Sequence, residues 1–379
     1  MEITVNRKVL LEKLGIVKSG ISGRSTLAIL SHVLLTSKEE MLALGTTDLE
    51  LSVTAKMELP AMSDEGCVAV PLNNFLQILS GLSAEEVTLK ASGGVIVISA
   101  GKSKYTLHTL PGAEFPKVLE VDNKACFDIS GAELKGALKE AVVAVSTDDN
   151  RAILCAVHLV LNPELGEVLF VATDTHRLVT TKRVPLGIGG TEMKINLPAR
   201  FVNELVRLLG EENSVQVEVG QSHVQVVIGD TILISRLVEG TFPNFQRVIP
   251  ATSTKEWTFL LEDLRPAVRR AQIVAKESCQ RIVLTQEGDT MTLSADSLMV
   301  GSANEEVAVL LGGYDYNNHS ADFTFQIAFN AQYMLAMLGS VPGDRVTFNM
   351  TDPLKPALIR VGSNESDNYQ HVLMPMQII

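Results

Sequence analysis

Three copies of one sequence pattern run through the chain. In each copy a segment ending in a leucine is followed by an apolar run ending in an aspartate. The leucines are Leu30, Leu154 and Leu284, and the aspartates are Asp48, Asp174 and Asp296. Their spacing is close to one third of the 379 residues. A unit of this length can bury its own core, so each repeat is expected to be a domain rather than a turn of a solenoid.

Each repeat predicts two helices and about eight strands. Apolar positions with helical spacing, such as Leu10, Leu14 and Val17, indicate an amphipathic helix near the start of each repeat. A second helix is predicted over 73–82, 199–209 and 331–338, and Pro266 is expected in the first turn of its helix. Alternating strands around Gly101-Lys102-Ser103 and Gly220-Gln221-Ser222 predict hairpins. We therefore expect an α+β fold whose three domains, 1–121, 122–252 and 253–379, each pack two helices on antiparallel sheets.

Composition favours a folded, cytosolic protein. The apolar fraction is 46 % and the charged fraction 20 %, both ordinary for a globular chain. None of the four cysteines is in a C-x-x-C pair or near a histidine at metal spacing, so we expect reduced thiols and neither a metal nor a cofactor. No signal-peptide pattern and no apolar run of about 18 residues is visible, so no membrane is expected and the predicted location is the cytoplasm.

The net charge of −12 argues against nucleic acid as a partner. That argument holds only if basic residues are spread evenly. Cations that were sorted onto one surface would leave an acidic protein able to bind phosphate.

Several motifs resemble the beta subunit of bacterial DNA polymerase III, the sliding clamp family. They are 24–30 with 45–50, 172–178, 237–245 with 247–250, and 372–376. Their order and spacing cover the whole chain. The resemblance implies a homodimer of two chains joined head to tail in a ring of six domains, which encircles duplex DNA and performs no catalysis.

The resemblance also implies that cations on the helices face DNA inside the ring. Phosphate contacts are independent of sequence, as a mobile tether to double-stranded DNA requires. The candidate DNA-binding residues are Arg24, Lys8, Lys13, Lys135, Lys139, Arg200, Arg207, Arg265, Arg269 and Arg270. The alternative is that these cations lie on ordinary solvent-exposed helix faces and bind no DNA.

A groove for partner peptides is implied between the second and third domains. Its expected partners are the DNA polymerase III alpha subunit, the clamp loader delta subunit and other peptides with the same motif, which present glutamine and apolar anchors. Flexible methionines would let one groove accept several sequences. The matching residues are Leu154, Thr173, Thr175, His176, Arg177, Leu178, Pro243, Arg247, Val248, Leu354, Val372, Met374, Pro375 and Met376. The alternative is that the terminal Met-Pro-Met only completes the last sheet.

A dimer interface is implied between the first and third domains. Pairing of edge strands with basic and acidic side chains would close the ring. The matching residues are Lys102, Lys104, Tyr105, Leu107, Ile273, Val274, Glu305 and Glu306. Charges on an edge strand are also a common guard against aggregation.

An enzyme and a binding scaffold are the two other functional classes. Asp174 and His176 in one loop could form a catalytic pair, but an aspartate recurring in every repeat is typical of a turn that bonds its own backbone. No GxxxxGK[ST] motif for phosphate is present. The other class is a scaffold of the same fold that binds protein or glycan without encircling DNA.

Overall fold

The computed structural model describes residues 1–21, 27–60, 64–117, 119–211, 214–277, 279–287, 290–312, 324–361 and 368–378. Arg24, a predicted DNA contact, therefore lies outside the described residues. Within these ranges the chain forms six α-helices and 27 strands, shared equally among the three repeats.

The elements recur in the same order in each repeat. The first repeat contains β1 (Glu2–Asn6), α1 (Arg7–Val17), β2 (His32–Lys38), β3 (Met41–Thr47), β4 (Leu51–Glu58), β5 (Gly66–Pro71), α2 (Leu72–Gly81), β6 (Glu86–Ser92), β7 (Val95–Ala100), β8 (Ser103–His108) and β9 (Leu110–Pro111). The second contains β10 (Ala125–Ile129), α3 (Gly131–Val142), β11 (Ala156–Asn162), β12 (Glu167–Thr173), β13 (Arg177–Arg183), β14 (Gly187–Gly190), β15 (Met193–Pro198), α4 (Ala199–Leu208), β16 (Val215–Val219), β17 (His223–Ile228) and β18 (Thr231–Arg236). The third contains β19 (Lys255–Leu260), α5 (Leu261–Ala275), β20 (Arg281–Glu287), β21 (Thr290–Ser297), β22 (Gly301–Ala308), β23 (Leu311–Gly312), β24 (Thr324–Asn330), α6 (Ala331–Ser340), β25 (Arg345–Met350), β26 (Ala357–Val361) and β27 (Tyr369–Leu373).

The two helices predicted for each repeat are confirmed, and α1 shows why they form. Asn6 caps α1 by accepting hydrogen bonds from the backbone N–H groups of Lys8 and Val9, at 3.0 and 3.3 Å. Leu10, Leu14 and Val17 are fully buried along one side of the helix. The apolar stripe predicted from the sequence is therefore the packed face.

One detail of the sequence prediction is wrong, and the strand count is slightly higher than expected. Among the described residues each repeat has nine strands, because one short strand (β9, β14 or β23) is added to the eight that the repeats share. Pro266 is the sixth residue of α5 rather than part of its first turn, because the helix begins at Leu261.

Strands from neighbouring repeats share sheets. A ten-stranded sheet has the order β14-β10-β16-β17-β18-β4-β3-β2-β5-β9, and a nine-stranded sheet has the order β15-β11-β12-β13-β27-β26-β25-β19-β23. The antiparallel pair β18–β4 joins the first and second repeats, and β13–β27 joins the second and third. Two four-stranded sheets, β1-β6-β7-β8 and β22-β21-β20-β24, remain at the two ends of the repeat series.

The chain divides into two compact units. One comprises 1–132, 185–193 and 207–237, and the other comprises 133–184, 194–206 and 238–379. The division runs through the second repeat because its two sheets continue into different neighbours. Each unit has its own core: Phe75 is fully buried in the first, and Trp257 and Phe259 are in the second.

The turns that follow the repeated aspartates are built alike in the first two repeats. Asp48 accepts from the N–H groups of Glu50 and Leu51, and Asp174 accepts from those of His176 and Arg177, at 2.9–3.2 Å. This confirms that these aspartates are turn formers.

The third repeat departs from the pattern. Here the Ser297 hydroxyl accepts hydrogen bonds from the backbone N–H groups of Met299 and Val300, at 3.3 and 3.4 Å. Asp296 is instead the last but one residue of β21 and lies opposite Ser302, in the position that Thr47 holds opposite Ser52. The equivalence of Asp296 with Asp48 and Asp174 is therefore wrong by one residue, and the third turn is one residue longer.

Candidate functional site

An apolar cavity of about 200 Å³ lies in the second compact unit. It is lined by Leu154, Thr173, Thr175, Arg177, Leu178, Pro243, Asn244, Phe245, Val248, Val372 and Met374. The structure thus brings together many of the residues that the family resemblance assigns to a peptide groove. Asn244 and Phe245 are additional, although the sequence motif that ends in Phe245 already contained them.

The pairing of β13 with β27 forms one side of this cavity. Leu178 lies opposite Val372 in the ladder, and the Met374 N–H donates to the His176 carbonyl at 2.9 Å. The turn before β13 is held by Thr173, whose hydroxyl donates to the Arg177 carbonyl at 2.7 Å. Beneath it, a buried cluster of Val171, Leu178, Phe242, Leu358 and Val372 forms a rigid apolar floor.

Arg177 supplies a fixed cation at the edge of the cavity. Its Nε donates to Asp174 at 3.0 Å, and its guanidinium lies 4.4 Å from the centre of the Tyr333 ring. Its Nη1 is buried and has no hydrogen-bond partner within the described ranges. A carbonyl or carboxylate of an occupant could satisfy that donor, since a buried donor left unpaired is costly.

Tyr333 was not predicted from the sequence. It lies on α6, distant in sequence from every motif that carries the resemblance, and no local pattern marks it. Burial raises the pKa of its hydroxyl, so the ring remains neutral at physiological pH.

Two titratable side chains of β27 itself are neutral. Burial and, to a smaller extent, the nearby Arg177 cation lower the pKa of His371 to about 3. Burial raises the pKa of Tyr369, whose hydroxyl lies 3.4 Å from His371. Tyr369 and His371 therefore add no charge to those of Arg177 and its partner Asp174.

Five residues predicted for the groove do not line the cavity: His176, Arg247, Leu354, Pro375 and Met376. His176 is exposed and stacks on Tyr333 with ring centres 6.1 Å apart. Arg247 and Leu354 are exposed. Met376 is tied by its backbone N–H to the Ala328 carbonyl at 2.7 Å, so the terminal segment also extends the pairing of β24.

The predicted DNA-binding cations fall into two groups. Lys8, Lys139, Arg200, Arg207 and Arg269 are exposed on the helices, and Arg207 also donates to the Ile16 carbonyl at 3.4 Å. The others have intrachain partners or are half-buried. Lys13 pairs with Asp230, Arg265 donates to the Leu338 carbonyl, Arg270 makes two hydrogen bonds to Glu305 at 2.6–2.8 Å, and Lys135 is half-buried.

The residues predicted for the dimer interface lie on or beside two free sheet edges. β8 and β22 end the two four-stranded sheets. Lys102, Lys104, Tyr105 and Glu306 are exposed there, and Leu107 and Glu305 are half-buried. Ile273, on α5 beside β22, is 69 % exposed, and Val274 is half-buried.

Other kinds of site find no support in the described part of the chain. It contains no group of three histidine, cysteine or acidic side chains that could hold a metal ion. It also contains no helix long and apolar enough to cross a membrane. Asp174 is engaged by its own turn and by Arg177 rather than aligned with His176.

Comparison with known proteins covers the whole chain. Models of the DNA polymerase III beta subunit match its N-terminal domain at 1–119, its central domain at 128–244 and its C-terminal domain at 246–377. The beta sliding clamps of Salmonella typhimurium and Pseudomonas aeruginosa are each 30 % identical to it, over all of both chains. The crystal structure of the Pseudomonas aeruginosa subunit superposes with a TM-score of 0.90 at 29 % identity, again over all of both chains.

Three α+β domains of antiparallel sheets and helices, arranged in series, define the sliding-clamp fold. The protein is a non-catalytic processivity subunit. The chain belongs to the DNA polymerase III beta subunit family, the beta sliding clamps.

Proposed function

We infer that two copies of this chain close head to tail into a ring that encircles duplex DNA and holds a polymerase on it. The ring would consist of the domains 1–121, 122–252 and 253–379 from each copy. The observation that carries the proposal is the repeated junction between domains. Within the chain, strands at the same positions in their repeats pair to form two junctions between domains. The strands at those positions that would form a third junction are β22 and β8, which end their sheets.

The equivalence follows from the order of the strands. At one junction β4 of the first repeat pairs with β18 of the second, and at the other β13 of the second pairs with β27 of the third. β22 holds the position of β4 and β13 in its own repeat, and β8 holds that of β18 and β27. Pairing β22 with β8 of a second copy continues the series, and twofold symmetry then closes it.

Both existing junctions give the same register for the new one. Leu233 pairs with Val53, and His371 pairs with Val179. The equivalent residues are Tyr105 and Ala303. The same register places Lys102 of one copy opposite Glu306 of the other.

Side chains on both faces of this pairing are complementary. Lys102 and Lys104 share a face with Glu306, so opposite charges meet across the strands. Tyr105 and Leu107 share the other face with Glu305 and with the exposed Ile273 on α5, so apolar surface is covered there.

The register predicts a specific disulfide between copies. In the existing junctions the Arg236 and Met374 N–H groups donate to the Glu50 and His176 carbonyls, so these residues form hydrogen-bonded pairs. The pairs equivalent to Tyr105–Ala303 lie three residues further along, so in the alternating antiparallel pattern they are non-hydrogen-bonded pairs. Their Cα atoms should be about 4.5 Å apart, within disulfide range. Tyr105→Cys with Ala303→Cys should therefore give a covalent dimer on oxidation, visible in a denaturing gel without reductant.

The control shifts the pair by two residues. Ser103→Cys with Ala303→Cys places the two Cα atoms on a diagonal of roughly 7–8 Å, beyond the range of a disulfide without backbone movement. Equal cross-linking of the two variants would contradict the proposed register.

DNA would pass through a hole lined by the helices. Two copies contribute twelve helices, and at about 10 Å each these give a circumference of roughly 120 Å and a diameter of about 38 Å. A duplex fits with water around it, so the ring can slide. Exposed cations such as Lys8, Lys139 and Arg269 would contact phosphate without reading sequence.

Retention on DNA of different topology tests this function. Protein loaded by a clamp loader onto a nicked circular plasmid should remain through gel filtration and leave when one cut makes the plasmid linear. The cut opens the circle but leaves the number of phosphates almost unchanged. A difference of tenfold or more in the protein retained on circular and on linear DNA therefore indicates encirclement. Equal retention on both forms would favour a scaffold of the same fold that does not surround DNA.

The cavity at the β13–β27 junction would bind the polymerase. We assign to it peptides of the DNA polymerase III alpha subunit and the clamp loader delta subunit, which would compete for one apolar site. A glutamine of the peptide would meet the polar rim, and leucine or phenylalanine would fill the cavity. As a member of this family, the protein would act in the cytoplasm.

A further inference from the structure

The turn between β21 and β22 exposes three consecutive apolar side chains. Leu298, Met299 and Val300 are 108, 88 and 53 % exposed. The corresponding turns of the other repeats carry Leu49 with Glu50 and Thr175 with His176, so neither has such a run. An apolar cluster at the tip of a turn indicates a surface that another molecule covers.

Equivalent turns are covered at both junctions within the chain. The Glu50 carbonyl accepts from the Arg236 N–H, and the His176 carbonyl accepts from the Met374 N–H, both at 2.9 Å. In each case the donor is at the end of the neighbouring domain's last strand. The residue of β8 in that position is His108, so the exposed turn should meet the segment that follows His108 in a second copy.

That segment offers a suitable surface. Thr109, Leu110 and Pro111 border an open cavity of about 350 Å³, which Val68 and Ala91 also line. Leu110 is half-buried and Pro111 is exposed, so apolar surface is available. A leucine or methionine side chain placed at its rim would exchange contact with water for contact with these groups.

We propose that Leu298, Met299 and Val300 form an apolar finger that packs on Thr109–Pro111 of a second copy of this chain. The finger extends the interface beyond the paired strands β22 and β8. This inference rests on the proposed ring. Duplex DNA is a poor occupant, because a phosphate surface offers nothing to aliphatic side chains.

The test is the double variant Leu298→Ser with Met299→Ser in the full chain. Both side chains are in solvent in a single copy, so folding should be unaffected. The dissociation constant of the dimer, measured by sedimentation or subunit exchange, should rise by about tenfold to a hundredfold. Leu165→Ser is the matched control: this leucine, 69 % exposed between β11 and β12, lies at no junction and its loss should leave the constant unchanged.

Each other outcome is decisive. If wild type and finger variant dimerise equally well, the finger does not contact the second copy, while the ring itself stands. If the dimer is unchanged and only binding of a polymerase peptide is lost, the finger belongs to a partner protein and the inference is overturned. If the wild type remains monomeric at high concentration, the ring fails and the finger with it.

Discussion

Val248→Glu should weaken binding of a polymerase peptide by at least about 30-fold, or about 2 kcal/mol. Val248 lines the apolar cavity at the β13–β27 junction beside Pro243 and Met374. A carboxylate there would have to lose its water when an apolar anchor of the peptide enters. Arg177, the cation among the described residues that line the cavity, is already paired with Asp174. The affinity can be measured by fluorescence anisotropy with a labelled synthetic peptide carrying glutamine, leucine and phenylalanine.

Folding should not account for the loss. Val248 is 37 % exposed, so glutamate at this position remains in water when the cavity is empty. Leu165→Glu introduces the same charge at another exposed apolar position and should bind the peptide normally. The dimer should also be unchanged in Val248→Glu, because β8 and β22, the proposed interface edges, belong to other sheets. Unaltered peptide affinity in Val248→Glu would remove the cavity as the docking site.

Periodic features of the chain were predictable from the sequence. The second helices of the repeats, α2, α4 and α6, lie close to their expected ranges, and the apolar stripe predicted for α1 is buried. The hairpin of β7 and β8 forms around the predicted Gly101 turn. The motif at Thr173–Leu178 and the terminal Val372 and Met374 lie together, as the family resemblance implied.

Other features depended on contacts that sequence does not encode locally. Tyr333 reaches Arg177 only because α6 packs beside the β13–β27 junction. Arg270 was assigned to DNA, yet the fold places it against Glu305, which no spacing along the chain indicates. The repeat pattern also matched Asp296 to Asp48, although Ser297 makes the equivalent bonds, because one extra residue in the turn shifts the alignment.

The distribution of cations provides the other large expected effect. Replacing Lys8, Lys139 and Arg269 with alanine should weaken binding to a short duplex and flatten its salt dependence. These side chains are exposed on helices, and among the described residues none takes part in an ion pair. Each phosphate contact contributes about 0.9 to the slope of log affinity against log salt, so losing three in each of the two copies of the proposed ring, six in all, should reduce the slope by about 5.4. Affinity at 0.1 M salt should fall by roughly an order of magnitude or more.

A second triple variant with the same net charge distinguishes the effect of where the cations lie from the effect of the total charge of the protein. Replacing Lys38, Lys56 and Lys90 also removes three positive charges, but these lysines lie on the strands β2, β4 and β6. If helix cations line the hole, only the first triple variant should lose slope, because the strands lie outside. If both variants lose slope equally, the whole-molecule charge controls binding, and the acidic net charge of −12 would then argue against a DNA-lined hole. The comparison therefore decides whether an acidic protein can hold DNA by the position of a few cations.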